Sequence, residues 1–344
     1  MMMDLPGQEY PLGSLGWYSV GNHDLNRFED YVGFNRIQRF IDANSGFSAS
    51  EQVEQKYNDW GGKVALDYQL NQEIMVYGSL SRGFKAGSIN SNPTTAAFST
   101  LLKKEVKPET LLTSELGFKG DFYQNTLRVN GAFFHNTWEN YQSFLVYNPG
   151  NPANLFASLV NIPEAKSIGA ELDIHWQANA TMRFDLGFGW LDSEVVDGNL
   201  DTSNIPSGII EGFQNQVING NELTNAPKFN YTAAMHKRYE FSNSDIEFSL
   251  HYSYLGKHTH QLQGANSRTW LDNSSERSIG IVTFNSLYLF GQDREYQIAL
   301  WIKNLTDEQY CSERGTTPGT STETVRLCSQ GDPQLFGINA SVIF

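Results

Sequence analysis

The 344-residue chain has no uninterrupted apolar run near the roughly 18 residues a membrane helix needs, so helical membrane spans are excluded. Positive charge is scarce: 24 basic residues stand against 38 acidic ones, for a net charge of −14 and a pI near 4.9. Nucleic-acid binding wants a basic stripe, so that partner class is set aside. Cysteine is scarcer still, with only Cys311 and Cys328 present. One cysteine pair without histidines beside it offers too few ligands for zinc. There is no phosphate-cradling glycine loop and no nucleophile elbow. Nothing in the acidic scatter places two carboxylates together, so no catalytic residue, metal or cofactor is assigned and no enzyme is expected. The amino terminus, Met1-Met2-Met3-Asp4-Leu5, lacks the basic start, apolar core and small-residue cleavage site of a signal peptide.

Aromatics, in contrast, are plentiful at 13%, although mean hydropathy is only −0.42. That combination suits strands that alternate apolar and polar residues. Met182, Phe184, Leu186, Phe188 and Trp190 share one face of such a run, and Arg183, Asp185, Gly187 and Gly189 share the other. Ile168, Ala170, Leu172, Ile174 and Trp176 alternate with Gly169, Glu171, Asp173 and His175 in the same way. So do Ile246, Phe248, Leu250, Tyr252 and Tyr254 with the polar residues between them. Short turns are predicted around Asn71-Gln72, Gln124-Asn125, Asn179-Ala180, Ser242-Asn243 and Gly291-Gln292. Long polar connections are expected near 84–109, 148–164, 194–225, 257–279 and 305–333.

Short turns on one side and long loops on the other are the arrangement of an outer-membrane barrel. The reading is all-β: an antiparallel, up-and-down transmembrane β-barrel, present as a partial barrel of about 11–12 strands. Residues 60–344 are assigned to the barrel and residues 1–59 to an irregular segment, an external loop with at most one strand. An odd strand count would not close the usual even barrel, and with no leader sequence the expectation is a chain lacking its front portion. A cytosolic protein is the competing expectation. Cys311 and Cys328, seventeen positions apart in a segment rich in Thr, Ser and Gly, predict a disulfide closing a surface loop in an oxidising compartment. His258 and His260 flank Thr259 in an external loop and read as solvated, since no third metal ligand accompanies them.

Several segments resemble the C-terminal half of the TonB-dependent receptors, in that family's order. Tyr77-Gly78-Ser79-Leu80-Ser81-Arg82-Gly83-Phe84-Lys85-Ala86-Gly87 is similar to its strand-and-turn motif. Val106-Lys107-Pro108-Glu109-Thr110 with Glu115-Leu116-Gly117-Phe118-Lys119 comes next. After these come Phe133 to Gln142, Gly169-Ala170-Glu171-Leu172, Asn225-Ala226-Pro227-Lys228, Asn304-Leu305-Thr306-Asp307-Glu308-Gln309-Tyr310 and Pro333-Gln334-Leu335-Phe336-Gly337. The resemblance covers roughly residues 57–344, departs at Gln334, where the family more often has Arg, and includes neither plug domain nor energy-coupling box.

Gly83 and Gly87 are expected to permit tight bends or positive φ, and Pro108 and Pro227 to stand at strand entrances. Glu115, Lys119, Glu171, Asp173, Arg183 and Asp185 lie on polar faces and are the lumen-facing candidates. Phe336, Ile338, Val342 and Phe344 share one face, and the resemblance implies that this last strand is the signal read by the barrel-assembly machinery. It further implies outer-membrane lipid as surroundings, a small-molecule ligand such as a ferric siderophore, and contact with the TonB energy complex only through a plug missing here. The expected function is therefore barrel wall and external loops for uptake of a siderophore, vitamin or glycan across a Gram-negative outer membrane. A passive outer-membrane channel or structural barrel, and a soluble β-sandwich active on glycans, are the alternatives.

Overall fold

The structure is a computed structural model that describes residues 56–89, 105–147, 156–199, 218–260, 262, 275–318 and 324–343. The chain divides into two compact units, Met1–Lys56 and Tyr57–Phe344, and the strands among the described residues belong to the second. They are β1 (Gly62–Gln69), β2 (Ile74–Lys85), β3 (Ser88–Ile89), β4 (Glu105–Val106), β5 (Glu109–Phe122) and β6 (Leu127–Tyr147). They continue with β7 (Phe156–Asn179), β8 (Met182–Asp197), β9 (Phe229–Phe241), β10 (Ser244–Leu255), β11 (His258–Thr259) and β12 (Ser275–Glu276). The last are β13 (Ile279–Phe290), β14 (Tyr296–Lys303), β15 (Cys311–Pro318), β16 (Thr324–Gln330) and β17 (Leu335–Val342).

Eleven of these form one antiparallel sheet in the order β1-β2-β5-β6-β7-β8-β9-β10-β13-β14-β17. The order follows the sequence once the two-stranded ladders β3–β4, β11–β12 and β15–β16 are set aside, and each ladder sits inside a long connection. This is an up-and-down meander, open between its edges β1 and β17. Four-residue turns or tighter join β1 to β2, β5 to β6, β7 to β8 and β9 to β10, all at one rim. Every long connection leaves the other rim.

Alternation becomes two continuous faces because the registers align. Val129, Ile174, Leu186, Ala233, Tyr252 and Val282 are successive partners across six strands. One position over, Arg128, His175, Asp185, Ala234, His251 and Thr283 form the matching row on the polar face. The apolar face keeps its side chains uncovered, with Leu186 44% and Leu116 68% exposed. A soluble sandwich would bury that face against a second sheet; among the described residues there is none, which disposes of the sandwich alternative.

Rings gather at both ends of the apolar face. Trp176 stacks on Phe184 at 5.5 Å and Phe290 on Tyr296 at 5.2 Å near the short turns, while Tyr231 stacks on Tyr254 at 4.6 Å near the long connections. Two aromatic girdles flanking an aliphatic band mark two membrane–water interfaces. Lys237 lies on this face, yet its ammonium donates to Thr181 Oγ1 at 2.8 Å in the β7–β8 turn and passes over the Tyr239 ring. It thereby carries its charge out to the interface.

Strands β6 and β7 are longer than a membrane requires. Their 21 and 24 residues compare with the roughly 9–11 that cross a bilayer, so the pair projects beyond the long-connection rim. The polar region expected at 148–164 is therefore strand from Phe156 onward. Its alternation is masked by Pro163, which stands opposite Asn140 (φ 54°); both residues drop out of the ladder, and the register carries through unchanged.

Of the two roles expected for Gly83 and Gly87, tight bends or positive φ, neither glycine takes the positive φ. Gly83 is extended and paired with Leu111, with open space where a Cβ would be. Gly87 is small because the Tyr57 ring and the Val106 carbonyl lie against it. Gly169 is similarly placed under the Phe134 ring, with the Trp190 carbonyl oxygen 2.7 Å from where a Cβ would be. Gly169→Val is therefore expected to cost about 1–3 kcal/mol through overpacking, and Gly83→Ala almost nothing. Urea titration of the lipid-folded protein, followed by tryptophan fluorescence, measures both; equal midpoints would refute the packing argument.

Candidate functional site

The polar face collects charge toward the short-turn rim. Asp185 accepts from Arg183 Nε at 2.9 Å, lies 2.8 Å from His175 Nδ1 and is 3.4 Å from His236 Nε2. Arg128 pairs with Asp121 at 2.7 Å. Asp245 accepts from Arg238 at 2.6 Å and from Arg294 at 2.5 and 3.1 Å. Its carboxylate is out of contact with solvent because two guanidiniums cap it. Of the polar-face residues singled out from sequence, Arg183 and Asp185 are brought together. Lys119 lies across from Met75 with its ammonium 5.9 Å from the Tyr77 ring centre. Glu115 pairs in register with Ser79, Glu171 with Ala132 and Asp173 with Asn130.

The other rim carries built structure. Beyond that rim, Ile162 and Ala165 of β7 and Val195 of β8 bury together with Ile218, Leu223 and Leu262 from the long connections. Ile218 and Leu223, in the described part of the connection after β8, thus pack against the strands. Gln142, where the aromatic run of β6 ends, donates to the carbonyls of Ala86 and Lys107 at 2.9 and 3.0 Å. Asn161 holds Lys107 from both sides, accepting from its N–H at 2.7 Å and donating to its carbonyl at 2.9 Å. Together they pin the β3–β4 connection to the β6–β7 hairpin.

Asn304, buried, donates to the carbonyls of Glu308 and Asp332, and Gln334 Nε2 donates to the Leu305 carbonyl at 2.7 Å. Asn304 and Asp307 take positive φ there, as Asn and Asp tolerate best after glycine. The departure at Gln334 is thus accommodated within the turn. Pro108 and Pro227 precede β5 and β9, at strand entrances. These motif residues are architectural: they shape the rim from which the connections rise.

One expectation needs correction here. His258 is not solvated: it is 6% exposed, with Nδ1 2.9 Å from the Gly256 carbonyl and its ring edge-on to His260 at 4.9 Å. Pairing of β11 with β12 sets it opposite Glu276. The long connection at 305–333 carries the hairpin β15–β16, across which Cys311 and Cys328 are joined by a disulfide. Residue 344 lies outside the described residues, while Phe336, Ile338 and Val342 lie on the apolar face of β17, opposite Ile302, Leu300 and Tyr296.

Sequence reasoning missed Glu276 and Arg314. Glu276 is fully covered, and Arg314 Nε stands 3.0 Å from its Oε2 without hydrogen-bond alignment. Nothing in either local sequence marks the pair, since they meet from different hairpins. Beside them a cleft of about 470 Å³ is lined by Glu222, Lys228, Phe229, Tyr254, Lys257 and His258 among others. Lys228 there is held protonated, its pKa raised by bonds to Asp192 and Glu222. Among the described residues, no cluster of three or more acidic, histidine or cysteine side chains could hold a metal ion.

An uncovered apolar band between two aromatic girdles, on a meander with one turned rim and one elaborated rim, defines an outer-membrane β-barrel protein. The TonB dependent receptor-like, beta-barrel family matches residues 27–305, and the chain belongs to that family of the Gram-negative outer membrane. The TonB-dependent heme receptor A of Haemophilus influenzae is 24% identical over 292 residues, spanning 72% of this chain and 38% of the receptor. The ferric yersiniabactin uptake receptor FyuA from Yersinia pestis superposes with a TM-score of 0.59 at 16% identity, over 82% of this chain and 37% of that one. The siderophore receptor PiuA from Acinetobacter baumannii gives 0.54 at 17% identity, over 81% and 35%. The chain thus spans under two fifths of the length of these relatives. The two structural likenesses show the fold alone.

Proposed function

We propose that the chain supplies wall and external connections of an energised uptake receptor for an iron-bearing small molecule, a ferric siderophore or heme. The observation that carries this reading is the asymmetry between rims: turns on one side, and on the other a folded mouth with its own buried cluster and pinned hairpins. Family membership and the ligands in the relatives' names support the choice of ligand class. No bond is made or broken in such a role.

In this reading residues 60–344 are wall and mouth; the irregular external segment expected at 1–59 lies, up to residue 55, outside the described residues. Glu115, Lys119, Glu171, Asp173, Arg183 and Asp185 face the lumen, where charge avoids lipid and can meet a plug through which the TonB energy complex acts. The β17 face bearing Phe336, Ile338 and Val342, continued at Phe344, is what the barrel-assembly machinery reads.

The test is growth of the source bacterium on limiting iron after deletion of the whole reading frame that encodes this chain. Heme, a ferric catecholate and a ferric hydroxamate are supplied in turn. Loss of growth on one of them, restored by the frame and dependent on the energising partner, is the expected result. Unchanged growth on all three would defeat the ligand class. Restoration without the energising partner would favour a passive channel.

A further inference from the structure

We propose that the last two external connections are joined by an acid-released latch. Arg314 on the disulfide-closed hairpin neutralises the buried carboxylate of Glu276 on the β11–β12 ladder, and protonation of His260 beside it loosens that hold. The inference goes beyond the uptake reading and does not depend on which ligand is taken.

Glu276 has its side chain fully covered, and a buried carboxylate persists only with a countercharge. Its Oε1 accepts from the Arg277 N–H at 3.1 Å, and among the described residues the cation within reach of Oε2 is Arg314. Arg314 is placed by the disulfide: it pairs in register with Cys328, and its Nη2 lies 3.3 Å from Cys311 Sγ. The guanidinium therefore bridges one hairpin's covalent clasp to the other hairpin's buried charge.

The histidines complete the cluster. His258 is the partner of Glu276 across the ladder. His260 is fixed through Nδ1 to Asn225 Oδ1 at 2.9 Å, and its Nε2 is covered without a hydrogen-bond partner. The charged groups acting on His260 are His258, Glu276, Glu313 and Arg314. With the His260 imidazole neutral, one guanidinium serves the buried carboxylate. A proton on His260 adds a second cation to that site, which competes for Glu276 and repels Arg314.

Burial first, and His258 next, hold the His260 imidazole below its ordinary value; the two glutamates oppose this and Arg314 adds to it. The closed arrangement thus prefers the neutral ring. For a base whose pKa is lowered in the closed form, closure has full strength above the ordinary value of 6.5 and weakens as pH falls below it. Acid opens the latch.

Hydrogen–deuterium exchange on the full chain in lipid tests this at about pH 7.5 and about pH 5.5, on either side of the ordinary histidine range, with times corrected for intrinsic exchange on an unstructured peptide. Peptides covering 275–280 and 311–314 should exchange several-fold faster at the lower pH, while β7 and β8 stay unchanged. H258Q/H260Q should abolish the response, and R314Q should raise exchange at both pH values. Equal or slower exchange of the wild-type protein at low pH overturns the proposal, as does a response that survives H258Q/H260Q. The wild-type comparison decides the matter even if a variant fails to assemble.

Discussion

Leu186→Arg is expected to destabilise the assembled wall by about 2–4 kcal/mol, the cost of a cation at the midplane of a lipid-facing strand. Leu186 sits between Ile174 and Ala233 in the apolar row, with Phe184 and Phe188 on either side along its own strand, so it lies at the middle of the band. No second layer among the described residues covers it, and nothing but hydrocarbon would receive the guanidinium. Lys237 escapes the same penalty only by standing near the turn, with Thr181 in reach. Gly187→Arg, one residue away, presents its side chain to the polar face beside Asp173 and Thr232. Its cost should be much smaller, since the Thr232 hydroxyl can rotate aside and Asp173 can accept the charge. Refolding titrations of both variants into lipid bilayers measure the difference. Equal losses would mean that the faces have been assigned wrongly.

That contrast can be drawn from sequence because period-two alternation survives wherever a strand crosses the bilayer between unlike media. Met182 to Trp190 and Ile246 to Tyr254 are read directly from their residues. The same rule fails above the membrane, where both faces of the β6–β7 hairpin are in water or packed against connections. There Asn140 and Pro163 interrupt the pattern, and strand reads as loop. Motif glycines are legible as small but not as to reason: Gly87 answers to a ring from Tyr57, thirty residues upstream, and not to its own φ. The pair Glu276 and Arg314 is invisible for a related cause. Each is an ordinary charged residue in a polar stretch, and only the docking of two separate hairpins makes one buried and the other its partner. His258 reads as solvated from sequence because burial in a loop depends on what folds over it.

Opening the Cys311–Cys328 disulfide is expected to weaken the hairpin β15–β16 by about 3 kcal/mol while leaving the wall in place. The clasp spans 17 positions, and in the chain-entropy account a loop of that size gains about this much when closed. The effect stays local because the hairpin pairs with no strand of the main sheet. β14 and β17 are held to each other over eight residues, and their junction is closed below the hairpin by Asn304, Asp307 and Gln334. Loss of about 3 kcal/mol raises the open fraction of the hairpin on the order of a hundredfold. Limited proteolysis of the folded protein, with and without a dithiol reductant, should show faster cleavage within 311–330 on reduction. The heat-induced mobility shift of the wall should not move. A wall that melts earlier on reduction would show that the hairpin supports the sheet after all, and two free thiols in protein purified from the envelope would remove the clasp from the argument.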